Sequence, residues 1–521
     1  MRRQCMDTLS SRFQGIVNGV IEGFDRIVFK GILKPICYAE GMSIFLFHHD
    51  ILRKDYKPYW EAQSKVIVRD AEDYTKNALG QPVIYINSLN IRKEEIAHEN
   101  QRLLDIKTGL VGTLSCVEGC PTFKSAYNPN APTPVIQRTT SRCKHLYFYI
   151  DHKDYGFMSI RLQTWAPFDI QIALNGREWL RRQLSKAGVG YTVEGNKFLQ
   201  IDDYGIAQAL LLSQRDVMWE ELLTGFLPEV FPSMRSIVGD MTYTWTMWQS
   251  EWARDYIFSD PVALQQQMGH LIRHAFLTGN GDRVLQYMGK PVRPNGQPYS
   301  DPELMTKLNS WYDGARLRHW VNGNSIKVYN EFNVLRVEMT MNDPRQYRVH
   351  RHTEGDPNGE KKLLPLRKGI ADVYVRSQVC AQRVQCFAEH MATLTEEVTV
   401  QQLLSQVDKP IIHDGKRFRA LEITGKDLAL LQALSDPKYN VAPITNKRLR
   451  SALAGTPWAN GLEDSKLSAR VSRNLRLLRE HVIIRKGEKR TYELTQKGRL
   501  LSTALNQFLS ASINDLTRLA S

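Results

Sequence analysis

The strongest constraint on the fold lies in the last quarter of the chain, where one predicted helix has two contrasting faces. At about 100° per residue, the apolar side chains of this helix share an arc about 80° wide. They are Leu467, Val471, Leu475, Leu478 and Val482. The opposite half is basic and carries Lys466, Arg470, Arg473, Arg476 and Arg479. The pattern predicts a helix that packs on a core along one side and presents positive charge along the other.

The neighbouring elements place this helix in a small domain. Two shorter helices are predicted at about 424–434 and 446–454, and a β-hairpin at 482–494 and a helix from 496 to about 509 follow. The hairpin is basic and carries Arg485, Lys486, Lys489 and Arg490. This order resembles a winged helix-turn-helix domain, whose third helix would enter the major groove while the hairpin lies along the phosphates. A solvated charged helix and a protein-docking module are the alternatives.

The net charge of the chain is concentrated in the same region. The 521 residues include 69 Lys+Arg and 55 Asp+Glu, a formal net charge of +14. Residues 416–521 contain 20 Lys+Arg and 9 Asp+Glu, which is +11 of that surplus. A nearly neutral body with one basic module is typical of a tethered nucleic-acid-binding domain. We therefore expect DNA as the partner, with RNA as an alternative, and the chain is compatible with a homo-oligomer.

Length and composition predict a multidomain globular protein. The chain is too long for one core, and 42% apolar with 24% charged residues is typical of globular proteins. No apolar run approaches the roughly 20 residues that span a bilayer, and no apolar signal core follows the basic start. Seven cysteines are sparse and odd in number, which fits a reducing compartment. We expect a cytoplasmic, nucleoid-associated protein without a membrane partner.

The predicted fold is an α+β multidomain body with a C-terminal winged helix-turn-helix domain. The predicted regions are an N-terminal α/β region at 1–115, an α+β region with a β-hairpin at 116–205, a helical region plus a β-hairpin (325–341) at 206–405, and the winged helix at 416–512. Residues 121–142 lack periodicity and are predicted as a long loop. Residues 206–288 are predicted as largely helical, which would place Glu251 and Asp255 on one helix face.

The hairpin at 325–341 has chemically active side chains at alternating positions. Lys327 and Tyr329 share a face of its first strand, and Arg336 and Glu338 share a face of its second. The segment resembles one in plasmid and filamentous-phage replication initiators, although Asn330-Glu331 departs from the usual pattern. The resemblance implies that Glu338 holds a divalent metal at a nicking site. The alternative is a surface hairpin with a cross-strand ion pair.

Three further motifs carry a wider resemblance. They are Gly23-Phe24-Asp25-Arg26-Ile27-Val28-Phe29-Lys30-Gly31, Tyr155-Gly156-Phe157-Met158-Ser159-Ile160-Arg161-Leu162-Gln163-Thr164-Trp165 and Asn175-Gly176-Arg177-Glu178-Trp179. With the hairpin and the basic C-terminal module, the chain resembles a widespread bacterial family often labelled transposase-like. The resemblance covers nearly the whole chain. It implies an association with a mobile element and does not imply a particular chemistry.

Cleavage of phosphodiesters usually needs carboxylates gathered around Mg²⁺ or Mn²⁺. The candidates are Asp25, Asp151, Glu251, Asp255 and Glu338, with Asp25 and Glu338 as the expected metal ligands. A tyrosine nucleophile is the other route, and Tyr329 and Tyr243 are candidates. The side chains expected to contact the strand backbone are Arg161, Arg177, Lys327 and Arg336. Each carboxylate taken singly also fits a surface or ion-pair role.

Four soft ligands form a second candidate metal site. Cys116, Cys120, Cys143 and His145 fall in two close pairs, as a tetrahedral Zn²⁺ would require. The spacing within each pair is not that of a standard zinc finger. Unligated cysteines and a strand histidine are the alternative.

These observations leave three hypotheses about function. The first is a mobile-element-associated, metal-dependent DNA nicking or strand-transfer enzyme, a transposase or replication-initiator-like endonuclease. The second is a non-catalytic DNA-binding regulator, and the third is an RNA-binding protein whose aromatic side chains stack on unpaired bases. The first is preferred because a body of about 400 residues is large for a simple repressor.

Overall fold

The computed structural model describes residues 8–510 except 88–90, 131–132, 280, 291–302, 312–313, 354, 357, 393–402, 424, 437–438, 440–442 and 488–490. The chain forms two compact units. The central unit comprises Ile21–Arg254 and Thr340–Cys380. The terminal unit comprises Met1–Val20, Asp255–Met339 and Ala381–Ser521. Each is built from helices and strands, so the predicted α+β class is confirmed.

The strands are numbered in chain order. They are β1 Val17–Ile32, β2 Ile84–Tyr85, β3 Gly109–Ala126, β4 Val135–His152, β5 Gly156–Gln163, β6 Ile170–Asn175, β7 Tyr191–Glu194, β8 Lys197–Ile201, β9 Thr244–Phe258, β10 Leu304–Trp311, β11 Gly314–Val321, β12 Asn324–Glu331, β13 Val334–Met341, β14 Arg348–Arg351, β15 Lys362–Pro365, β16 Ile411–His413, β17 Lys416–Phe418, β18 Ile484–Lys486 and β19 Tyr492–Leu494.

The helices are numbered in the same way. They are α1 Thr8–Arg12, α2 Ala39–His48, α3 Tyr56–Leu79, α4 Lys93–Leu103, α5 Gly176–Lys186, α6 Tyr204–Ser213, α7 Trp219–Thr224, α8 Leu227–Val230, α9 Met234–Val238, α10 Pro261–Thr278, α11 Gly281–Tyr287, α12 Val373–Ala392, α13 Leu428–Leu434, α14 Asn446–Leu453, α15 Asp464–Glu480 and α16 Gln496–Ser510. None of these helices is both long and apolar enough to cross a membrane.

A mixed sheet forms the frame of the central unit. Its strands follow the order β9-β1-β6-β5-β4-β3-β2. The pairs from β1 to β3 are antiparallel, and β2 joins β3 in parallel. The long helix α3 packs on β3 and buries Trp60, which meets Phe168 edge to face at a centroid distance of 5.3 Å. In this order β1 and β9 are neighbours.

The prediction of a long loop at 121–142 is wrong. Strands β3 and β4 pair from Gly109 opposite Asp151 to Ala126 opposite Val135. Much of this ribbon has exposed polar side chains, so the apolar alternation that identifies a half-buried strand is missing from the sequence. Backbone pairing between the two strands stabilises the extended form instead.

The helical prediction for 206–288 is wrong at β9. Glu251 and Asp255 lie on this strand and not on a helix. Residues 252–258 are all buried, so both faces of the strand are apolar or internally paired. A strand buried on both faces shows no period of two and cannot be distinguished from a buried helix by its pattern.

The terminal unit contains its own run of paired strands. Its order is β10-β11-β12-β13, with residues 255–258 of β9 beside β13. The pairs β10–β11 and β11–β12 are antiparallel. Helix α10 packs on β11 and β12, where Leu317, Ile326 and Val328 are buried. One face of these strands is therefore covered by a helix.

The C-terminal part of the terminal unit has its own core. The apolar face of α15, with Leu467, Val471 and Leu475, is buried with Leu449 of α14 and Leu431 of α13. A bridge between Ile444 and Tyr492 adds a third short strand segment to the β18–β19 hairpin. The helix predicted from the apolar arc agrees with α15, because that arc is the side on which it packs, except that Val482 lies beyond the end of the helix and is exposed.

Candidate metal and nucleic-acid sites

Two carboxylates meet in a cavity of the central unit. Asp25 on β1 and Glu251 on β9 have carboxylate oxygens within 4.8 Å of each other. Both line a cavity of about 260 Å³, whose wall includes His98 stacked on Phe157 at a centroid distance of 3.8 Å. Asp25 is buried and Glu251 is half-buried. The strand order places the two side chains together although they are far apart in the sequence.

The start of α5 fixes the surroundings of Asp25. Asn175 caps this helix by accepting hydrogen bonds from the amides of Arg177 and Glu178 at 2.8 and 3.1 Å. Gly176 permits a close approach, because a Cβ there would lie 2.2 Å from the carbonyl oxygen of Phe24. The helix thereby brings the Arg177 guanidinium to 4.0 Å from Asp25.

Asp25 and Arg177 are both held by further polar contacts. Asn196 donates a hydrogen bond to Asp25 Oδ1 at 2.5 Å. Arg177 is only 1% exposed and donates to the carbonyl of Ala253 at 2.9 Å. The sequence placed Arg177 among the contacts to a nucleic-acid backbone, but its side chain lies inside the unit against Asp25. The cavity is lined by three carboxylates, Asp25, Glu94 and Glu251, and by Arg26, while Arg177 lies beside Asp25.

Asp151 does not belong to this cavity. Its carboxylate pairs with Arg182 at 2.5 Å and accepts a hydrogen bond from Gln101 at 2.8 Å. Tyr243, a candidate nucleophile, is also engaged elsewhere, because its hydroxyl donates to the carbonyl of Phe168 at 2.7 Å. Burial raises the pKa of Tyr243 well above its ordinary value. Neither side chain is placed for metal binding or nucleophilic attack.

In the terminal unit, Glu338 joins Lys327 and Tyr329. Lys327 Nζ lies 2.7 Å from Glu338 Oε1, and the Tyr329 hydroxyl donates to Glu338 Oε2 at 3.1 Å. Glu338 is 1% exposed. Of the Lys, Tyr, Arg and Glu that the sequence placed on this hairpin, the contacts bring Lys327, Tyr329 and Glu338 together, and Arg336 pairs with Asp255 instead. Glu338, like Asp25 and Glu251, can offer one carboxylate oxygen to a metal ion.

Asp255 and Arg336 form a separate buried ion pair. Arg336 Nε and Nη2 donate to the two carboxylate oxygens of Asp255 at 2.6 and 2.8 Å. Both side chains are about 1% exposed. A bidentate pair of this kind occupies both oxygens of the carboxylate. Asp255 was predicted as a catalytic residue and Arg336 as a nucleic-acid contact. In the structure they form an ion pair with each other instead.

The cysteine and histidine candidates lie on β3 and β4. Cys116 stands opposite His145 in the ribbon. Cys116 Sγ donates to Glu118 at 3.1 Å, and burial lowers the pKa of His145 to about 4. No three of the ligand atoms of Cys116, Cys120, Cys143 and His145 come within 4.8 Å of one another. These four side chains therefore support no zinc site.

Arg161 on β5 joins a polar network with Glu118 of β3 and Tyr147 of β4. It pairs with Glu118 at 3.0 Å and donates to the Tyr147 hydroxyl at 3.0 Å, while Lys93 pairs with Glu118 at 3.1 Å. Burial alone would raise the pKa of Glu118, but hydrogen bonds from Cys116, Tyr147, Lys93 and Arg161 lower it to about 2. Arg161 is thus held by a carboxylate and remains about one quarter exposed.

The predicted basic surface of the C-terminal module is present in the part that the structure describes. Exposed side chains on α15 and β18 are Lys466, Arg473, Arg476, Arg479, Arg485 and Lys486. Arg470 is half-buried and lies over the Trp458 ring at 4.3 Å. Arg479 pairs with Glu480 at 2.6 Å, and Arg485 pairs with Glu493 at 2.7 Å. Lys489 and Arg490 lie outside the described residues.

Sequence reasoning missed two groups of side chains. Lys447 and Arg448 extend the exposed basic residues onto α14, and the cap at Thr445 was a signal that this helix begins there. Asn446 joins α14 to α15 by donating to Ser468 and Ser472 at 2.9 and 2.8 Å.

Asn196, which contacts Asp25, gave no signal in the sequence because its role depends on tertiary structure alone.

Comparison with known proteins gives no further assignment. No family model, no curated protein and no solved structure matches the chain.

Proposed function

We propose that the chain is a mobile-element-associated DNA-binding protein and a metal-dependent DNA nicking or strand-transfer enzyme. The observation that carries the proposal is α15, whose apolar face is buried while basic side chains are exposed along its other side. Positive charge on one face of a helix in a small domain is the electrostatic footprint of nucleic-acid binding. The concentration of net charge in residues 416–521 supports the same conclusion.

The topology of the C-terminal module favours a winged helix-turn-helix domain. The order is α13, the strand segment at Ile444, α14, α15, the β18–β19 hairpin and α16. In this interpretation α15 is the recognition helix in the major groove, and the hairpin is the wing along the backbone. Lys447 and Arg448 at the start of α14 would add contacts to phosphates. An isolated charged helix would need neither the strand segment nor the hairpin.

The Asp25–Glu251 cavity is the proposed centre of the nicking activity. Two carboxylates within 4.8 Å of each other fit Mg²⁺ or Mn²⁺, which prefer oxygen ligands. A metal held there would activate an attacking hydroxyl or water and stabilise the leaving oxygen. Glu338 is predicted from the sequence as a further ligand. Arg177, fixed next to Asp25, would offset part of the negative charge of the carboxylates.

Binding of duplex DNA by α15 is tested by fluorescence anisotropy with a labelled 30-base-pair duplex. The double substitution Arg473→Ala/Arg476→Ala should weaken binding at least tenfold, because two exposed phosphate contacts are lost. The control Lys57→Ala/Lys65→Ala removes the same charge from exposed positions on α3. Equal affinity of the wild type and the α15 variant would contradict the proposal.

The second candidate function is a non-catalytic DNA-binding regulator, and the third is an RNA-binding protein. The regulator is favoured by one observation, the involvement of Asp255 in an ion pair, which removes one predicted catalytic carboxylate. Binding to a palindromic duplex with no effect of metal or EDTA would support the regulator. A preference for structured RNA over the duplex would support the third.

A further inference from the structure

One face of the β10–β11–β12 sheet combines aromatic and basic side chains in register. We propose that this face binds single-stranded DNA, with bases stacked on the aromatic rings and phosphates paired with the cations. The proposal rests on the proposed function as a DNA-processing protein and assigns the unpaired strand to a surface other than α15. All the residues involved belong to the terminal unit.

The strand register arranges the face in rows. Residues directly opposite each other on antiparallel strands project to the same face of a sheet. The rows are Met305–Trp320–Ser325, Lys307–Arg318–Lys327 and Asn309–Arg316–Tyr329, and Trp311 stands at the end of β10. The three rows contain four cations and no carboxylate. Glu331 ends β12 beyond the last row.

The middle row consists of three cations. Lys307, Arg318 and Lys327 are cross-strand neighbours, and like charges directly opposite each other are destabilising. Glu338 of β13 pairs with Lys327 from the next strand, while β10 and β11 provide no carboxylate within the rows. A phosphate backbone along β10 and β11 would meet the exposed Lys307 and the half-buried Arg316 and Arg318. The charge pattern is therefore complementary to a phosphate backbone.

The aromatic rings of this face are held by the cations. The Arg316 guanidinium lies 4.0 Å from the Trp311 ring, the Arg318 guanidinium 4.3 Å from the Trp320 ring, and Lys327 Nζ 5.5 Å from the Tyr329 ring. Tyr329 is only 5% exposed, whereas Trp311 and Trp320 are half-buried, so the two tryptophan rings and the guanidinium planes are the groups that can stack on unpaired bases. Because duplex DNA keeps its bases stacked internally, such a surface selects unpaired nucleotides.

The other face of β11 and β12 is not available. Leu317, Ile326 and Val328 are buried, and α10 packs on β11 and β12 from that side. On the proposed binding face, Lys307 is exposed, and Arg316, Arg318 and Trp320 are half-buried. Because Ser325 and Tyr329 of β12 are buried, the accessible part of the face lies on β10 and β11, which are about 4.8 Å apart and offer room for about two stacked nucleotides.

The test is anisotropy of the full-length chain with labelled dT12, rU12 and the 30-base-pair duplex. We expect Trp320→Ala and Arg318→Ala each to weaken dT12 binding at least fivefold and to leave duplex affinity within twofold of the wild type. Trp320→Phe should retain most of the dT12 affinity because it keeps a stacking ring. Ser310→Ala, an exposed position on the other face of β10, is the matched control.

The outcomes separate this inference from the proposed function. Arg473→Ala/Arg476→Ala should lower duplex affinity and leave dT12 affinity unchanged, which identifies two distinct surfaces. Wild-type dT12 affinity in both Trp320→Ala and Arg318→Ala, with thermal unfolding unchanged, would overturn the inference whatever the duplex result. A preference for rU12 over dT12 of more than tenfold would overturn it in favour of RNA.

Discussion

Arg336 and Asp255 form a bidentate ion pair in the interior of the terminal unit, with N–O distances of 2.6 and 2.8 Å. Sequence analysis placed these two residues in different roles, one at a metal and one at a phosphate. Their pairing explains why a charged residue is tolerated on β9 and on β13, because each neutralises the other. If either partner of a buried ion pair is removed, the other charge stays buried without compensation.

Removing one partner should therefore destabilise the protein. We expect Asp255→Ala to lower the free energy of unfolding by about 3–5 kcal/mol, because Arg336 would be left charged and buried. Urea denaturation followed by circular dichroism measures the change. The exposed pair Lys57–Glu61 is the control, and Glu61→Ala should cost less than about 1 kcal/mol. If Asp255→Ala and Glu61→Ala both lowered the free energy of unfolding by less than about 1 kcal/mol, a structural role for Asp255 would be contradicted.

Duplex binding should depend on salt in proportion to the number of phosphate contacts. For B-DNA, log K falls with log salt concentration by about 0.9 for each phosphate neutralised. Arg473→Ala/Arg476→Ala should thus reduce the slope by about 2 between 50 and 200 mM NaCl. Lys57→Ala/Lys65→Ala should keep the wild-type slope. An unchanged slope in the α15 variant would place the phosphate contacts elsewhere.

The Glu118 network predicts a loss of stability in acid. The unfolded carboxyl has its ordinary pKa near 4.5, and hydrogen bonds lower the folded pKa to about 2. Between these values the unfolded state binds more protons, so stability is fully present above pH 4.5 and falls as the pH falls toward 2. The contribution is on the order of 1–3 kcal/mol. Denaturation at several pH values between 5 and 2.5 measures this contribution to the free energy of unfolding. In Glu118→Gln the free energy of unfolding should depend less on pH over this range.

Binding of Mn²⁺ can be measured without any DNA. Titration of the full-length chain, followed by electron paramagnetic resonance of free Mn²⁺, should show a site that weakens at least tenfold in Asp25→Asn and in Glu251→Gln. Glu72→Gln, at an exposed position on α3, is the control for general loss of charge. Glu338→Gln tests the sequence-based prediction of a further ligand. Identical isotherms for wild type, Asp25→Asn and Glu251→Gln would exclude the cavity as the metal site.

The sequence predicted elements where local pattern determines structure. The apolar arc of α15 and the Thr445 cap of α14 are such cases, because burial and capping there follow short-range periodicity. Strand β9 was missed because residues 252–258 are buried on both faces. The β3–β4 ribbon was missed because many of its side chains are polar and exposed, so the sequence lacks the alternation of apolar residues typical of a strand. Both depend on pairing with distant strands, which no local pattern contains.

The same limit applies to the site. Asp25, Glu251 and Glu338 were selected as residue types suited to metal binding, and the strand order then placed Asp25 beside Glu251. Asp255 is also a carboxylate and lies on β9 like Glu251, yet Arg336 occupies both of its oxygens. Arg177 was expected at the surface, and the Asn175 cap with Gly176 directs it inward. Residue type identifies candidates, whereas tertiary contacts decide which of them remain available.

Metal-dependent nicking is the most direct test of the proposed function. Supercoiled plasmid is incubated with the protein and Mg²⁺, Mn²⁺ or EDTA and resolved on denaturing gels. The account predicts nicks with Mg²⁺ or Mn²⁺ that are absent with EDTA and abolished by Glu251→Gln, while Glu251→Gln retains wild-type duplex affinity and Glu72→Gln nicks normally. Plasmid that is bound but intact in every lane, or nicking that persists in both Asp25→Asn and Glu251→Gln, would contradict it.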